Sequence, residues 1–461
     1  MTMVVKNNMP AKNTLNQLDK NDKALAKSLK KVASGMKINS AADDASGYAI
    51  SEKMRVQING LEQDDANTQN GKSLLTVAQG AIDSTVEILK TLKEKAINAA
   101  NDTNTDLDRA NIQKELDQSI DQLTDNANVT FNGKTLLDGS KNNSVIEGGT
   151  YTHLTNQSLS PDTTGDTPFL EMVTRNNESL GIQSSDTLTI SWVQNGETHT
   201  KTVNPLAYDK NEVNPNWNPM DSSSPHYITV KKGYTLAQIL EQTEGRIQLA
   251  SVDANIGANQ FGNIVQTADG QNAITIKSST PGVEGQIAGF TIGITDKDGN
   301  QRKFANNALD AFDESIRAQN ESEDNALVFQ IGTKANQAVK VGMTDMRPAA
   351  LGLTSTDTPV KTLSVSNQTD ANAAINVLDH AVQKALDQQT QLGAIASRLD
   401  YTAANLTTAK ENTQASESVI RDANMAQEMT AYTKNNILTQ SAQAMLAQAN
   451  QNSSQVLSLL Q

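Results

Sequence analysis

A mainly α-helical fold is what this sequence predicts. Long antiparallel, coiled-coil-like helices come from both termini, with a β-rich α+β insertion between them. Three observations carry that expectation. None of the ten prolines lies between residues 11 and 160, and none lies after residue 359. Proline breaks helix interiors, so both ends are permitted long helices and the middle is not. Residues 144–324 hold 23 acidic against 11 basic side chains and 11 of the 16 aromatics, which sets the middle apart in composition. Near the C-terminus, Leu378, Ala385, Leu392, Leu399 and Leu406 recur in a heptad, with a companion row at Ile375, Val382, Gln389, Ala396 and Ala403. Alternating steps of three and four keep both rows on one helix side, forming a seam for a partner helix. About 40 such residues at 1.5 Å each span roughly 60 Å, a length that makes sense when the helix is paired throughout.

The N-terminal elements follow in order. Leu15, Leu18, Leu25, Leu29, Val32 and Met36 form a narrow apolar stripe interrupted by Asp22, and Gly35 and Asn39 end that helix. Asp43 and Asp44 precede the next, where carboxylates favour a helix N-terminus. Leu75, Ala78, Ile82, Leu89, Leu92, Ala96 and Ala99 share a seam that stops at the breaker cluster 101–104. A further helix turns Ile112, Leu116, Leu123 and Ala127 inward before the tight turn Phe131-Asn132-Gly133.

In the insertion, Leu188, Ile190 and Trp192 alternate, Asn195-Gly196 turns, and a polar strand runs to Val203. Further strands are expected at 274–276 and 290–294, and short helices at 236–240 and 308–316. A soft junction at 215–225 admits a division into two subdomains. Segments 328–331 and 338–341 read as a hairpin. At the far end Ala442, Leu446, Ala449, Val456 and Leu460 share a face with Ser453 as its polar gap. Neither terminal stripe buries enough alone to offset chain entropy, so the two are natural partners.

Composition narrows the function classes. Hydrophobic residues make up 37% and aromatics 3%, which suits helices packed through Leu, Ile and Ala. A net charge of −14 argues against nucleic acid or an anionic membrane as partner. No apolar run approaches membrane-spanning length, and the N-terminus has no secretory h-region. There is no cysteine, consistent with a cytoplasmic chain or with an exported one that must not crosslink. His153, His199, His226 and His380 lack metal-ligand spacing, and the 296–300 stretch lacks calcium-loop spacing and reads as a turn. No phosphate loop or G-x-S-x-G appears, so neither a cofactor nor enzymatic activity is expected.

Four stretches carry a family resemblance. LAKSLKKVASGMKINSAADDASGYAISEKM (25–54), TFNGKTLLDGS (130–140), LGAIASRLDYTAANL (392–406) and LAQANQNSSQVLSLL (446–460) resemble the bacterial flagellins, in order and in distance from both ends. The resemblance implies a terminal-helix D0 domain (1–42 with 420–461) and a helical D1 domain (43–143 with 325–419). It leaves 144–324 as a variable, surface-exposed outer domain. The hairpin region 326–353, which members often carry soon after the FNG turn, here follows the insertion. The implied role is a subunit that polymerises into the flagellar filament, secreted unfolded through the flagellar type III system to an extracellular flagellum. Implied partners are further copies of itself, an export chaperone on the C-terminal helix, and the filament cap and hook-junction proteins. Toll-like receptor 5 is the implied host partner, through Leu89, residue 91, residue 95 and Glu115. Stimulatory members carry arginine and leucine where this chain has Thr91 and Lys95, so weak activation is expected. A hook–filament junction protein and a filament-displayed enzyme are the rival readings.

Overall fold

The computed structural model describes residues 8–204, 206–213, 227–243 and 245–459. Its helices are α1 (Met9–Ser34), α2 (Ala45–Ala99), α3 (Asp106–Ala127), α4 (Leu236–Glu241), α5 (Lys303–Leu309), α6 (Gln368–Arg421) and α7 (Met425–Leu459). Its first strands are β1 (Thr130–Phe131), β2 (Lys134–Thr135), β3 (His153–Asn156), β4 (Thr187–Gln194), β5 (Glu197–Val203), β6 (Ala207–Val213), β7 (Tyr227–Gly233) and β8 (Ile247–Ser251). The remainder are β9 (Asn255–Ala258), β10 (Ile264–Gln266), β11 (Ile274–Ser278), β12 (Ile287–Thr295), β13 (Phe312–Ile316), β14 (Leu327–Gln330) and β15 (Ala338–Val341). The junction expected at 215–225 and the residue Leu460 lie outside the described residues.

Local chemistry explains the helix ends. The Asn8 side chain accepts from Ala11 N at 3.1 Å, and Gly35 closes α1 in the left-handed region at φ 71°. Asp44 Oδ1 accepts from Ser46 N and Gly47 N at 3.1 and 3.0 Å and so caps α2. A capping box of Thr105 and Asp108 starts α3.

The chain divides into two compact units, one made of the described parts of Met1–Asn70, Gln330–Ala338 and Leu399–Gln461, the other of Gly71–Phe329 and Val339–Arg398. In the second, the C-terminal part of α2, α3 and the N-terminal part of α6 share a core. Leu75, Ile82, Leu89, Leu92, Leu116 and Leu123 are fully buried there, and Ala374, Leu378, Ala381, Ala385, Gln388 and Leu392 are buried along α6. Asp83 accepts from Gln389 at 2.6 Å and Lys93 pairs with Asp379, so α2 and α6 run antiparallel. The row at 378, 385 and 392 is the one expected. Its companion is not: the buried second row is Ala374, Ala381 and Gln388, while Ile375, Val382 and Gln389 are half-buried. Both registers satisfy the three-four alternation, and the small alanines are the ones that let the other helices come close.

The insertion holds a four-stranded sheet in the order β13-β3-β11-β8 and a three-stranded sheet in the order β12-β4-β5. Leu154, Ile276 and Phe312 of the first share one core with Ile190, Trp192, Phe290 and Ile292 of the second. The Phe290 and Phe312 rings meet edge to face at 5.1 Å. The chain enters and leaves beside itself, with Ile146 bridging Ser322 and Thr150 bridging Gln319. Both expected Asn-Gly turns form, with left-handed φ of 50° and 74° at Asn132-Gly133 and 53° and 70° at Asn195-Gly196.

The helix expected at 308–316 is a correction. Helix α5 stops at Leu309, and Phe312–Ile316 forms β13 against β3. Pairing with β3 buries Phe312 and Ile316 on one side of that strand, and this tertiary gain overrides local helix propensity.

Asp310 sits where this sandwich meets α6, at the rim of a cleft of about 530 Å³ also lined by Asn376, Asp379 and His380. Burial pushes its carboxyl up to about 6, against a hydrogen bond from Ile292 N at 3.3 Å. The folded state therefore holds a proton that the unfolded chain has already lost. The contribution of Asp310 to stability is most favourable below the unfolded value of 3.8, falls through the window up to about 6, and above that carries the full penalty. Replacing Asp310 with Asn keeps an acceptor for Ile292 and removes the buried charge. We expect a gain of about 1–3 kcal/mol at neutral pH that vanishes near pH 4, read from paired thermal melts. An unchanged difference across that range would contradict the assignment.

Candidate assembly surface

In the first unit α1 and α7 lie antiparallel. Asn8 donates to Ala449 O at 3.3 Å and Asn21 to Leu438 O at 3.2 Å, Asn435 donates to Ser28 at 3.0 Å, and Lys31 pairs with Glu428 at 3.0 Å. The α1 seam runs through Thr14, Leu18, Asn21, Leu25, Ser28 and Val32, all buried or half-buried. The α7 seam runs through Glu428, Tyr432, Asn435, Thr439, Ala442, Leu446 and Ala449.

This splits the stripes read from sequence. Leu18, Leu25 and Val32 lie on the α1 seam, and Ala442, Leu446 and Ala449 on that of α7. Leu15 and Leu29 do not join them and stand 48% and 50% exposed. The physical reason is the alternate row. Thr14, Asn21 and Ser28 occupy it, small polar residues of which Asn21 donates to Leu438 O and Ser28 accepts from Asn435, so the bulkier leucines one position on are turned away. Met36 lies beyond the helix, where its Sδ accepts from Arg421 Nε at 3.3 Å. The Val456 side chain is outside the described residues, as is Leu460.

The paired helices therefore keep a second, outward apolar face. Met9, Leu15 and Leu29 supply it on α1, and Met425, Met429, Ile437, Leu438 and Met445 on α7. Met429, Ile437 and Leu438 also line a groove with Thr430, Thr433 and Lys434. Ile437, Leu438 and Met445 were not picked out from sequence. Leu438 and Met445 stand one heptad apart on α7, a signal that a single-seam reading does not use.

The connectors beside this pair are tied down. Lys37 N donates to Arg421 O at 2.8 Å and Ala423 N to Gly35 O at 2.9 Å. The buried Arg421 guanidinium reaches Ser51 at 3.4 Å and Glu52 at 2.5 Å, and lies over the Tyr48 ring at 5.4 Å. That guanidinium holds the Glu52 carboxyl below the usual carboxylate range. Below it, Lys410 pairs with Glu62 at 3.2 Å, so α2 and α6 are antiparallel in this unit too.

The four receptor-contact candidates lie in the second unit and are not equivalent. Leu89 is fully buried in the helical core and its side chain offers no surface, because the seam that binds α2 to its neighbours includes it. Thr91 is exposed, its hydroxyl donating back to Glu87 O at 3.0 Å. Lys95 and Glu115 are brought together from α2 and α3 in an ion pair of 2.8 Å. Glu115 thus faces a cation of its own chain.

Among the described residues no group of three His, Asp or Glu is placed to hold a metal ion, and no helix is long and apolar enough to cross a membrane. Asp296 accepts from Asp298 N and Asn300 N, each at 2.9 Å, in the turn after β12.

Comparison with known proteins agrees at both ends and along the whole length. Residues 5–142 match the bacterial flagellin N-terminal helical region and residues 375–460 the C-terminal helical region. The flagellin of Clostridium tyrobutyricum is 31% identical over 450 residues, covering 97% of this chain and 99% of that one. The flagellin of Bacillus subtilis is 28% identical over 476 residues, covering 99% and 100%. The B-type flagellin of Pseudomonas aeruginosa is 28% identical over 490 residues, covering all of both.

Proposed function

Since the chain belongs to the bacterial flagellin family, and so to the structural subunits of the flagellar filament, we propose that it polymerises through the outward apolar face of its α1–α7 pair. The supporting observation is that this pair alternates aliphatic with small and polar residues along its own seam while leaving Leu15, Leu29, Ile437, Leu438 and Met445 exposed. Large aliphatics left exposed on a helix pair are removed from water by stacking against further copies. Contacts that do not close on themselves generate a helical polymer.

The three-part division into D0 (1–42 with 420–461), D1 (43–143 with 325–419) and an outer domain (144–324) belongs to the same reading. So do export in an unfolded state, an extracellular location, a chaperone on the C-terminal helix, and cap and hook-junction partners. Negative-stain images of purified protein after salt-induced polymerisation test the proposal. Long filaments are expected, and short oligomers that never elongate would favour a hook–filament junction protein.

Weak activation of Toll-like receptor 5 is also proposed. Thr91 offers one hydroxyl where a guanidinium would offer five donors. Lys95 places a charge at an apolar contact and occupies Glu115 at 2.8 Å. In a cell reporter assay the double change Thr91→Arg and Lys95→Leu should raise potency by about tenfold or more. Potency of the unmodified chain equal to that of an Arg/Leu-bearing flagellin would refute this.

A further inference from the structure

The chain contains four Asn-Gly pairs: Asn59-Gly60, Asn70-Gly71, Asn132-Gly133 and Asn195-Gly196. Asn-Gly is chemically fragile because an unhindered glycine nitrogen can attack the neighbouring amide. Geometry decides which pairs can react, and here the four differ.

Two pairs lie inside α2. In a helix interior each glycine N–H is donated to the carbonyl four residues back. Turning that nitrogen toward the preceding side chain would break the helix ladder. Packing adds to the restraint, since a Cβ on Gly60 would meet Thr333 at 2.8 Å and one on Gly71 would meet Phe329 at 3.1 Å.

The other two form the same kind of hairpin turn but differ in freedom. Asn195 is held through its amide: Oδ1 accepts from Thr356 N at 2.8 Å and Thr356 Oγ1 at 3.3 Å, and Nδ2 donates to Asp357 at 2.5 Å. Gly196 lies against the 354–361 loop, where an added Cβ would be 2.7 Å from Lys361 O. Asn132 is exposed, its side-chain amide has no hydrogen-bond partner among the described residues, and a Cβ on Gly133 would meet nothing within 4 Å.

We propose that Asn132-Gly133 is a self-modification site of the folded protein, at which the asparagine converts through a succinimide to aspartate and isoaspartate. The Gly133 nitrogen, having lost its proton to hydroxide, forms a bond to Asn132 Cγ. The Cγ–Nδ2 bond breaks and ammonia leaves with a proton from solvent. Water then opens the five-membered ring at either carbonyl. The net change is water in and ammonia out, with no oxidation.

The isoaspartate product adds one carbon to the main chain within a two-residue turn. Thr130 pairs with Thr135 and Phe131 with Lys134 on either side of it, so that product cannot keep the present register. Leu136 and Leu137, both fully buried, anchor the chain just beyond and confine the change to the hairpin.

The test is peptide mapping of the full chain after incubation in mildly alkaline buffer, with a parallel sample in guanidinium. Methyl transfer to isoaspartate by a protein isoaspartyl methyltransferase is the second readout. In the folded sample Asn132 should convert faster than each of the other three by at least about tenfold. In guanidinium all four should convert at similar rates. Asp357→Ala should release Asn195 and raise its conversion while leaving Asn132 unchanged. Folded-state conversion at Asn195 equal to that at Asn132, or an Asn132 as slow as the two helical pairs, would overturn the proposal.

Discussion

A chain trimmed of its first 35 and final 40 residues should form no filaments at any concentration at which the intact chain polymerises, while the sandwich-bearing unit keeps its thermal transition. The cut removes all of α1 and all of α7, whose mutual seam includes Leu18, Asn21, Leu25, Ser28, Thr439 and Ala442. A finer form of the experiment leaves the pair intact and alters its outward face. Leu15 and Ile437 are 48% and 57% exposed in the single chain, so Leu15→Asp and Ile437→Asp cost the monomer little. If those side chains are buried between copies, each loses about 1.5–3 kcal/mol of apolar burial, before the added cost of desolvating a carboxylate. Every 1.4 kcal/mol is tenfold in an equilibrium constant, so each variant should raise the critical concentration by roughly tenfold to a hundredfold. Sedimentation of polymer against free subunit reads this directly. Normal filament yield from the double variant would remove the outward face from the assembly mechanism.

Gly289→Val should be the most damaging single change in the second unit. Strand β12 is the edge of its sheet, and α6 covers that edge: His380 Nδ1 donates to Ala288 O at 2.9 Å and Asn376 to Phe290 O at 3.4 Å. Helix and strand approach so closely that a Cβ on Gly289 would lie 2.8 Å from Val377 Cγ2, 3.1 Å from Val377 N and 3.3 Å from Ala373 O. Two of those three are backbone atoms of a helix and cannot swing aside. The opposite side is equally tight, because a Cβ on Gly352 (φ 80°) would be 2.3 Å from that of Ala288. The strand is gripped between the helix and a loop, so overpacking at Gly289 should cost about 3 kcal/mol or more. Gly293, four residues along the same strand, is the control. A Cβ there meets only Thr189 O at 3.9 Å, so Gly293→Ala should be nearly silent. A melt of Gly289→Val matching that of Gly293→Ala would show that the contact yields.

Much of this was legible from residues alone. Proline placement marked where helices of 55 and 54 residues could run. The Asn-Gly pairs at 132 and 195 marked two hairpin turns, because only residues tolerant of left-handed φ suit a two-residue turn. The heptad at 378, 385 and 392 marked a buried row. The misses share one cause. At 375, 382 and 389, and again at Leu15 and Leu29, hydrophobicity does not choose between two rows that periodicity leaves equivalent. In the structure the chosen rows are Ala374, Ala381 and Gln388 on α6, and Thr14, Asn21 and Ser28 on α1. Residues 308–316 failed differently, because the partner that makes Phe312–Ile316 a strand lies more than 150 residues upstream at β3.

The sequence by itself determined where the long helices run, where the Asn-Gly hairpins turn, and the family to which the chain belongs. These follow from backbone-level preferences and local periodicity, which each stretch carries within itself. The tertiary structure alone decided which face of each terminal helix is spent inside the subunit and which is left exposed. It also withdrew Leu89 from the surface, set Lys95 against Glu115, and left one Asn-Gly pair free where another is tied. Those outcomes depend on close approach between residues far apart in the chain, where small side chains admit a neighbour and large ones turn away.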